Sequence, residues 1–220
     1  MNILSKVVGF SLLVLVLLAG CDPSGSDSGV TVGVEYNDSV LLSNAVVAVI
    51  AVQGISSYTG SVAATVNGST TTTTVGFALD SASKVGLGNS VPFVVSLDGA
   101  EVANTNITQP FPPVNFGGVT SSTSASAPIT ITWNDLFPDP EFFQITVTEK
   151  ANPTVVAFQA TDLAGSATSQ TIPPNTFASG TEYRFTIMAV NRQSISGDGL
   201  AEGSFLQASS SNILDFTLQP

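Results

Sequence analysis

From residue 30 onward, apolar residues recur at every second position in short runs, and the runs stop at turn-forming dipeptides. This alternation limits the fold more than any other feature. Val30, Val32, Val34 and Tyr36 alternate with Thr31, Gly33 and Glu35, which gives one apolar and one mostly polar face at the two-residue period of a half-buried strand. Residues 45–52 are apolar on both faces and rich in β-branched Val and Ile, so they read as a central strand rather than a buried helix. Asn67-Gly68 separates residues 60–66 from 70–79, and Asp98-Gly99 separates 91–97 from 101–107. Both dipeptides favour positive φ and hence tight hairpins. No stretch carries a 3.6-residue period capped at both ends, so the chain is all-β. Residues 30–109 are expected to form a small antiparallel β-sandwich of immunoglobulin-like type.

The polar residues narrow the chemistry. Five Lys and Arg stand against sixteen Asp and Glu. A surface this poor in cations cannot neutralise phosphates, which argues against nucleic acid as a partner. There is no histidine, which removes the commonest general base and the commonest transition-metal ligand together. The single cysteine, Cys21, has no second thiol to pair with, so the folded part must be held by packing alone.

Residues 1–20 read as an export signal: Lys6 in a short positive region, an apolar run at 7–18, then small Ala19 and Gly20. The alternative is a retained membrane anchor, for which the run is of borderline length. Leu18-Ala19-Gly20-Cys21 resembles the lipobox of bacterial lipoproteins. That resemblance implies cleavage before Cys21, a diacylglyceryl group on its thiol, and acylation of the freed amine. The lipid is then the only covalent group expected, and the place is the bacterial cell envelope, anchored to a membrane. Asp22 resembles the inner-membrane retention signal of enteric lipoproteins, but other bacteria read that position differently, so inner and outer membrane both stay open. Each buried methylene contributes about 0.8 kcal/mol, so two or three chains hold durably where one holds weakly. Residues 21–29 contain no apolar residue after the cysteine and read as a flexible tether with a reach of roughly 15 Å.

Three prolines in residues 109–116 break the strand pattern and mark a boundary. Downstream, residues 129–133 end in Trp133, residues 142–149 and 155–159 alternate, and Tyr183 opens a run in which Phe185, Ile187 and Ala189 share one face. Residues 110–220 therefore resemble a fibronectin type III module. The resemblance implies a first strand near 113–120, a buried Trp133, a last strand at 213–218, and a tyrosine corner at Tyr183 whose hydroxyl returns to backbone near Phe177. Residues 191–212 would be a long final connection. The expected architecture is two tandem antiparallel β-sandwiches, immunoglobulin-like and then fibronectin type III-like, after a lipoprotein signal peptide.

Catalytic signatures are weak. Ser81-Ala82-Ser83-Lys84 matches an S-x-x-K pattern but lies between strands, without the helix that sets its spacing or the companion motifs. No catalytic residue is assigned. In a type III module the loops after the second and sixth strands emerge at one end, which would gather Asp135, Phe137, Asp139, Glu141, Asp198 and Glu202 into an acidic tip with one exposed ring. Clustered acids can supply oxygen ligands to calcium, but the ordered calcium-loop pattern is absent, so no metal site is assigned. The tip is read as a partner-contact surface. Thr-rich residues 69–75 read as an edge strand kept polar against sheet-to-sheet pairing. The chain is thus expected to be a non-catalytic binding, adhesion or scaffold protein with a protein or polysaccharide partner. The alternative is an accessory or enzymatic role in envelope or extracellular polysaccharide processing.

Overall fold

The computed structural model describes residues 29–39, 45–53, 60–74, 76–83, 89–108, 114–121 and 126–217. The leader, Cys21, the tether up to residue 28, Lys84 and residues 109–113 of the proline-rich stretch lie outside them. Every regular element among the described residues is a strand, and the fold is a set of β-sandwiches. The described chain divides into two compact units, one of residues 114–190 with 210–217, the other of residues 29–108 with 191–209.

The unit built on residues 114–190 has two layers. Strands β8 (Phe116–Ser121), β9 (Ile129–Trp133) and β12 (Ser169–Ile172) form one sheet, in the order β12-β9-β8. Strands β10 (Phe142–Glu149), β11 (Val156–Ala164), β13 (Glu182–Ser194) and β14 (Phe205–Thr217) form the other, in the order β11-β10-β13-β14. The core follows the two-residue period: Phe143, Ile145 and Val147 of β10 and Phe185, Ile187 and Ala189 of β13 pack on Ile129, Ile131 and Trp133 of β9. Trp133 meets Phe143 with ring centroids 5.3 Å apart. The tyrosine corner is present: the Ala178 amide donates to the Tyr183 hydroxyl at 2.9 Å, and the Tyr183 ring lies 4.7 Å from that of Phe177.

On the opposite face of β13, Arg184 grips Asp215 of β14 through two bonds of 2.9 and 3.2 Å, and Lys150 reaches Glu182 at 2.6 Å and Asp215 at 3.0 Å. The hydrogen bonds from Arg184, and then from Lys150, hold the Asp215 carboxyl below its ordinary value of 3.8 against the opposing effect of partial burial. A depressed carboxyl contributes stability above its unfolded-state pKa and loses it as pH falls through the folded-state value. Asp215→Asn is therefore expected to flatten the acid limb of the stability curve below about pH 4 while changing little at neutral pH beyond the lost ion pair. Urea midpoints of both proteins between pH 2 and 7 check this, and parallel curves would refute it.

The other unit also has two layers. Strands β3 (Val62–Val66), β4 (Ser69–Thr73), β6 (Ser90–Leu97) and β7 (Ala100–Thr108) form a sheet in the order β4-β3-β6-β7. Strands β1 (Thr31–Ser39), β2 (Ala45–Gln53) and β5 (Gly76–Ser83) lie in the second sheet, where β14 adjoins β1. Both predicted hairpins close on positive φ: 45° and 81° at Asn67-Gly68, 50° and 82° at Asp98-Gly99. The single strand expected over residues 70–79 is instead two. β4 pairs with β3 and β5 with β2, so the chain changes sheets between them. β4, with its threonines, ends its sheet.

Residues 191–209 are not a connection within the type III-like unit, as the sequence reading had them, but part of this one. Leu206 and Ala208 are fully buried with Val32, Val34, Phe93 and Val95, and Ile195 and Leu200 pack at the margin of that cluster. Val30 bridges Leu200 in parallel, its amide donating to the Gly199 carbonyl at 2.9 Å. The polar face expected for β1 is not solvated: Glu35 and Asn37 are buried. Ser209 explains how they tolerate it, donating to Glu35 Oε1 at 2.7 Å and accepting from Asn37 Nδ2 at 2.7 Å. The Tyr36 ring, buried in the core, has its hydroxyl pKa raised by burial and then by the charge on Asp38.

Candidate functional site

The connection between β9 and β10, residues 134–141, is held by several local contacts. Asn134 ties its start to the preceding strand: its amide donates to the Asn115 carbonyl at 3.0 Å, and its Oδ1 accepts from the Asn115 amide at 2.5 Å. Leu136 turns inward and is buried in the core beside Trp133 and Phe143. Alternation then sends Phe137 outward, where it is 89% exposed, the most exposed large apolar side chain among the described residues. The bond from Phe137 to Pro138 is cis. Pro140 is buried, and its carbonyl lies so near Gly165 that any side chain at 165 would run into it. The loop is thus pinned at both ends and carries its ring on the crest.

Asp135, Asp139 and Glu141 are exposed around that ring. They make an acidic rim, while Lys150 and Arg184 pair with Glu182 and Asp215. Asp198 and Glu202 do not join them in one unit. They sit in turns of the 191–209 segment, on either side of the Leu200 bridge to Val30. The six-residue tip read from sequence is therefore four residues of one unit and two of the other. The reason is that β13 and β14 extend past the type III-like unit, so the segment joining them is a packed hairpin rather than a short loop. Sequence reasoning missed Leu136 as the inward anchor. An isolated leucine between Asp135 and Phe137 was its signal.

No group of three or more carboxylate, cysteine or histidine side chains among the described residues is arranged to hold a metal ion. The chemistry this surface supports is recognition: an apolar ring to bury and carboxylates to meet cations or amides. No family model matches the chain, and no curated protein is similar to it. Among solved structures it is similar to the FN1–FN3 domains of chicken CNTN1, at 13% identity and TM-score 0.33 over 89% of this chain and 64% of that one. It is likewise similar to a cytokine receptor complex, at 13% identity and TM-score 0.32 over 87% and 97% of the two chains. A segment of two fibronectin type III domains from chicken tenascin gives 12% identity and TM-score 0.29 over 83% and 97%. The chain spans less than two thirds of the length of the CNTN1 segment. By strand order, buried tryptophan and tyrosine corner, the unit of residues 114–190 with 210–217 is a fibronectin type III-like β-sandwich.

Proposed function

We propose that this chain is a lipid-anchored protein of the bacterial cell envelope that binds a protein or polysaccharide partner without catalysis, through the loop that carries Phe137. The observation behind the binding role is that ring, exposed on a loop fixed by buried Leu136 and Pro140, so that little ordering entropy opposes its burial in a partner. The acidic rim of Asp135, Asp139 and Glu141 favours a partner with basic or amide-rich groups. The anchor rests on the lipobox-like Leu18-Ala19-Gly20-Cys21, with lipid on Cys21 and residues 22–29 as the tether.

Two variants test the two halves separately. Cys21→Ser is expected to move the protein from the membrane fraction to the soluble fraction. If it stays bound after the change, the apolar leader is an anchor in its own right and lipid is not needed. Phe137→Ala, which leaves the buried part of the loop untouched, is expected to weaken capture of envelope partners by the lipidated protein about tenfold or more. Unchanged capture by Phe137→Ala and by Asp135→Ala together would remove this loop as the contact surface.

A further inference from the structure

The chain enters the unit of residues 29–108 with 191–209 through the middle of a sheet. β1, the strand that follows the tether, lies between β2 and β14 and is therefore an inner strand. On one side it pairs antiparallel with β2, from Thr31 against Gln53 to Asn37 against Val47. On the other side its contacts with residues 199–209 advance in the same direction along both segments: Val30 meets Gly199 to Ala201, Val32 meets Ser204, and Tyr36 and Asn37 meet Ser209. β1 and β14 thus run parallel.

These contacts are clasps spaced along β1. At the entry, Val30 donates to the Gly199 carbonyl and accepts from the Ala201 amide, both at 2.9 Å. Gly29 passes so near this turn that a Cβ on it would stand 2.7 Å from the Ala201 nitrogen and 2.8 Å from the Gly199 oxygen, so a side chain there would push the tether's exit off the turn. Next along the strand, buried Ser204 accepts from the Val32 amide at 3.1 Å and donates to the Ala201 carbonyl at 2.9 Å. Farther on, buried Ser209 donates to Glu35 Oε1 and accepts from Asn37 Nδ2, both at 2.7 Å, and Asn37 also reaches Glu35 Oε1 at 3.1 Å. Buried polar groups must keep their partners, so these side chains tie β1 to β14 beyond the main-chain bonds the two strands share.

The direction of a pull decides how such a contact fails. A strand peeled from an edge gives up its bonds one after another, whereas an inner strand drawn lengthwise must give them up together, and forced unfolding follows the rate of that step. Tension on the tether draws β1 toward its N-terminal end. β14 continues past residue 209 into the type III-like unit, so tension on that unit draws β14 toward its C-terminal end. Parallel strands drawn from opposite ends slide along each other, which strains the Val30, Ser204 and Ser209 clasps at the same moment. We propose that the β1–β14 contact is the force-bearing seat of the membrane anchor: it keeps this sandwich closed under tension between a lipid on Cys21 and a partner held by the type III-like unit. The source of the tension rests on the lipid-anchored reading given above, while the clasps stand without it.

Single-molecule pulling on residues 21–220 tests this, with Cys21, the single thiol, as one handle and a tag after Pro220 as the other. The comparison protein carries Cys21→Ser and Thr72→Cys, which moves the handle to an exposed position on β4, the end strand of its sheet. The unit of residues 29–108 with 191–209 is expected to open at a higher force through Cys21 than through the Thr72→Cys handle. Ser209→Ala is expected to lower the force through Cys21 and leave the other unchanged, a split that a loss of overall stability does not produce. Should that variant fail to fold, Gly29→Ala disturbs the entry clasp alone and carries the same expectation. Equal forces in the two directions, an unmoved force through Cys21 in the variant, or an equal fall in both directions would each overturn the proposal. Lipid plays no part in these forces, so a failure of the anchor reading shows only in the Cys21→Ser fractionation.

Discussion

Leu206→Ala is expected to loosen the sandwich built on residues 29–108, although Leu206 belongs to β14, more than 90 residues downstream of it. Its side chain is fully buried among Val32, Val34, Phe93 and Val95. Removing it costs about 2–5 kcal/mol through lost transfer energy and the cavity left behind. A domain of this size has roughly 5–15 kcal/mol in all, so the change takes a large share of it. Exchange at the Phe93 and Val95 amides reports the affected core, while the lone Trp133 reports the type III-like unit by fluorescence. The expected outcome is faster exchange at Phe93 and Val95. If those amides keep their protection, the 191–209 hairpin decorates that core instead of completing it. A chain ending at Gln109 carries the same logic further, since it lacks Leu206, Ala208 and the Ser209 that satisfies Glu35 and Asn37. It is expected to show no cooperative unfolding transition.

Phe185→Ala should be the most damaging single change in the type III-like unit. The ring is fully buried and meets Phe177 at 5.7 Å and Phe216 edge-on at 5.9 Å, joining the tyrosine corner to the last strand. Truncating a buried phenylalanine costs about 3–5 kcal/mol. Edge-to-face pairs add roughly 0.5–1.5 kcal/mol each to simple burial. The midpoint of denaturation followed by Trp133 fluorescence should fall accordingly, with Phe185→Leu falling less because it refills part of the space. A loss of under about 0.5 kcal/mol for the alanine variant, the scale of a surface change, would contradict this packing.

Much of the strand pattern was legible because it is local. Alternation at Val30 to Tyr36, at Phe143 to Val147 and at Tyr183 to Ala189 depends only on which side of a pleat each residue occupies, and the two glycine turns depend only on φ. The tyrosine corner spans five residues and was legible for the same reason. What remained hidden depends on partners far along the chain. Residues 191–212 are rich in Ser, Gly and Gln and read as a long final connection. Ser209 is buried only because Glu35 and Asn37, more than 170 residues upstream, meet its hydroxyl. The break between β4 and β5 was hidden likewise, since alternation continues across a change of sheet and says nothing about which neighbour a strand takes. At the candidate site the exposed Phe137 was legible as a ring in a proline-flanked loop. That Asp198 and Glu202 belong to the other unit was not, because it follows from the length of β13 and β14.

The use of β14 by both sandwiches sets an order of events during synthesis. In most multidomain chains the N-terminal module folds while later residues are still being made. Here Val32, Val34 and Phe93 must wait for Leu206 and Ala208 before their core closes, and the type III-like unit waits for Leu214 and Phe216 of the same strand. Neither sandwich can close its core before residues 206–216 have been made. Contacts of such long sequence separation slow folding. A chain that stays unfolded for longer is also one that can still be threaded through a narrow passage.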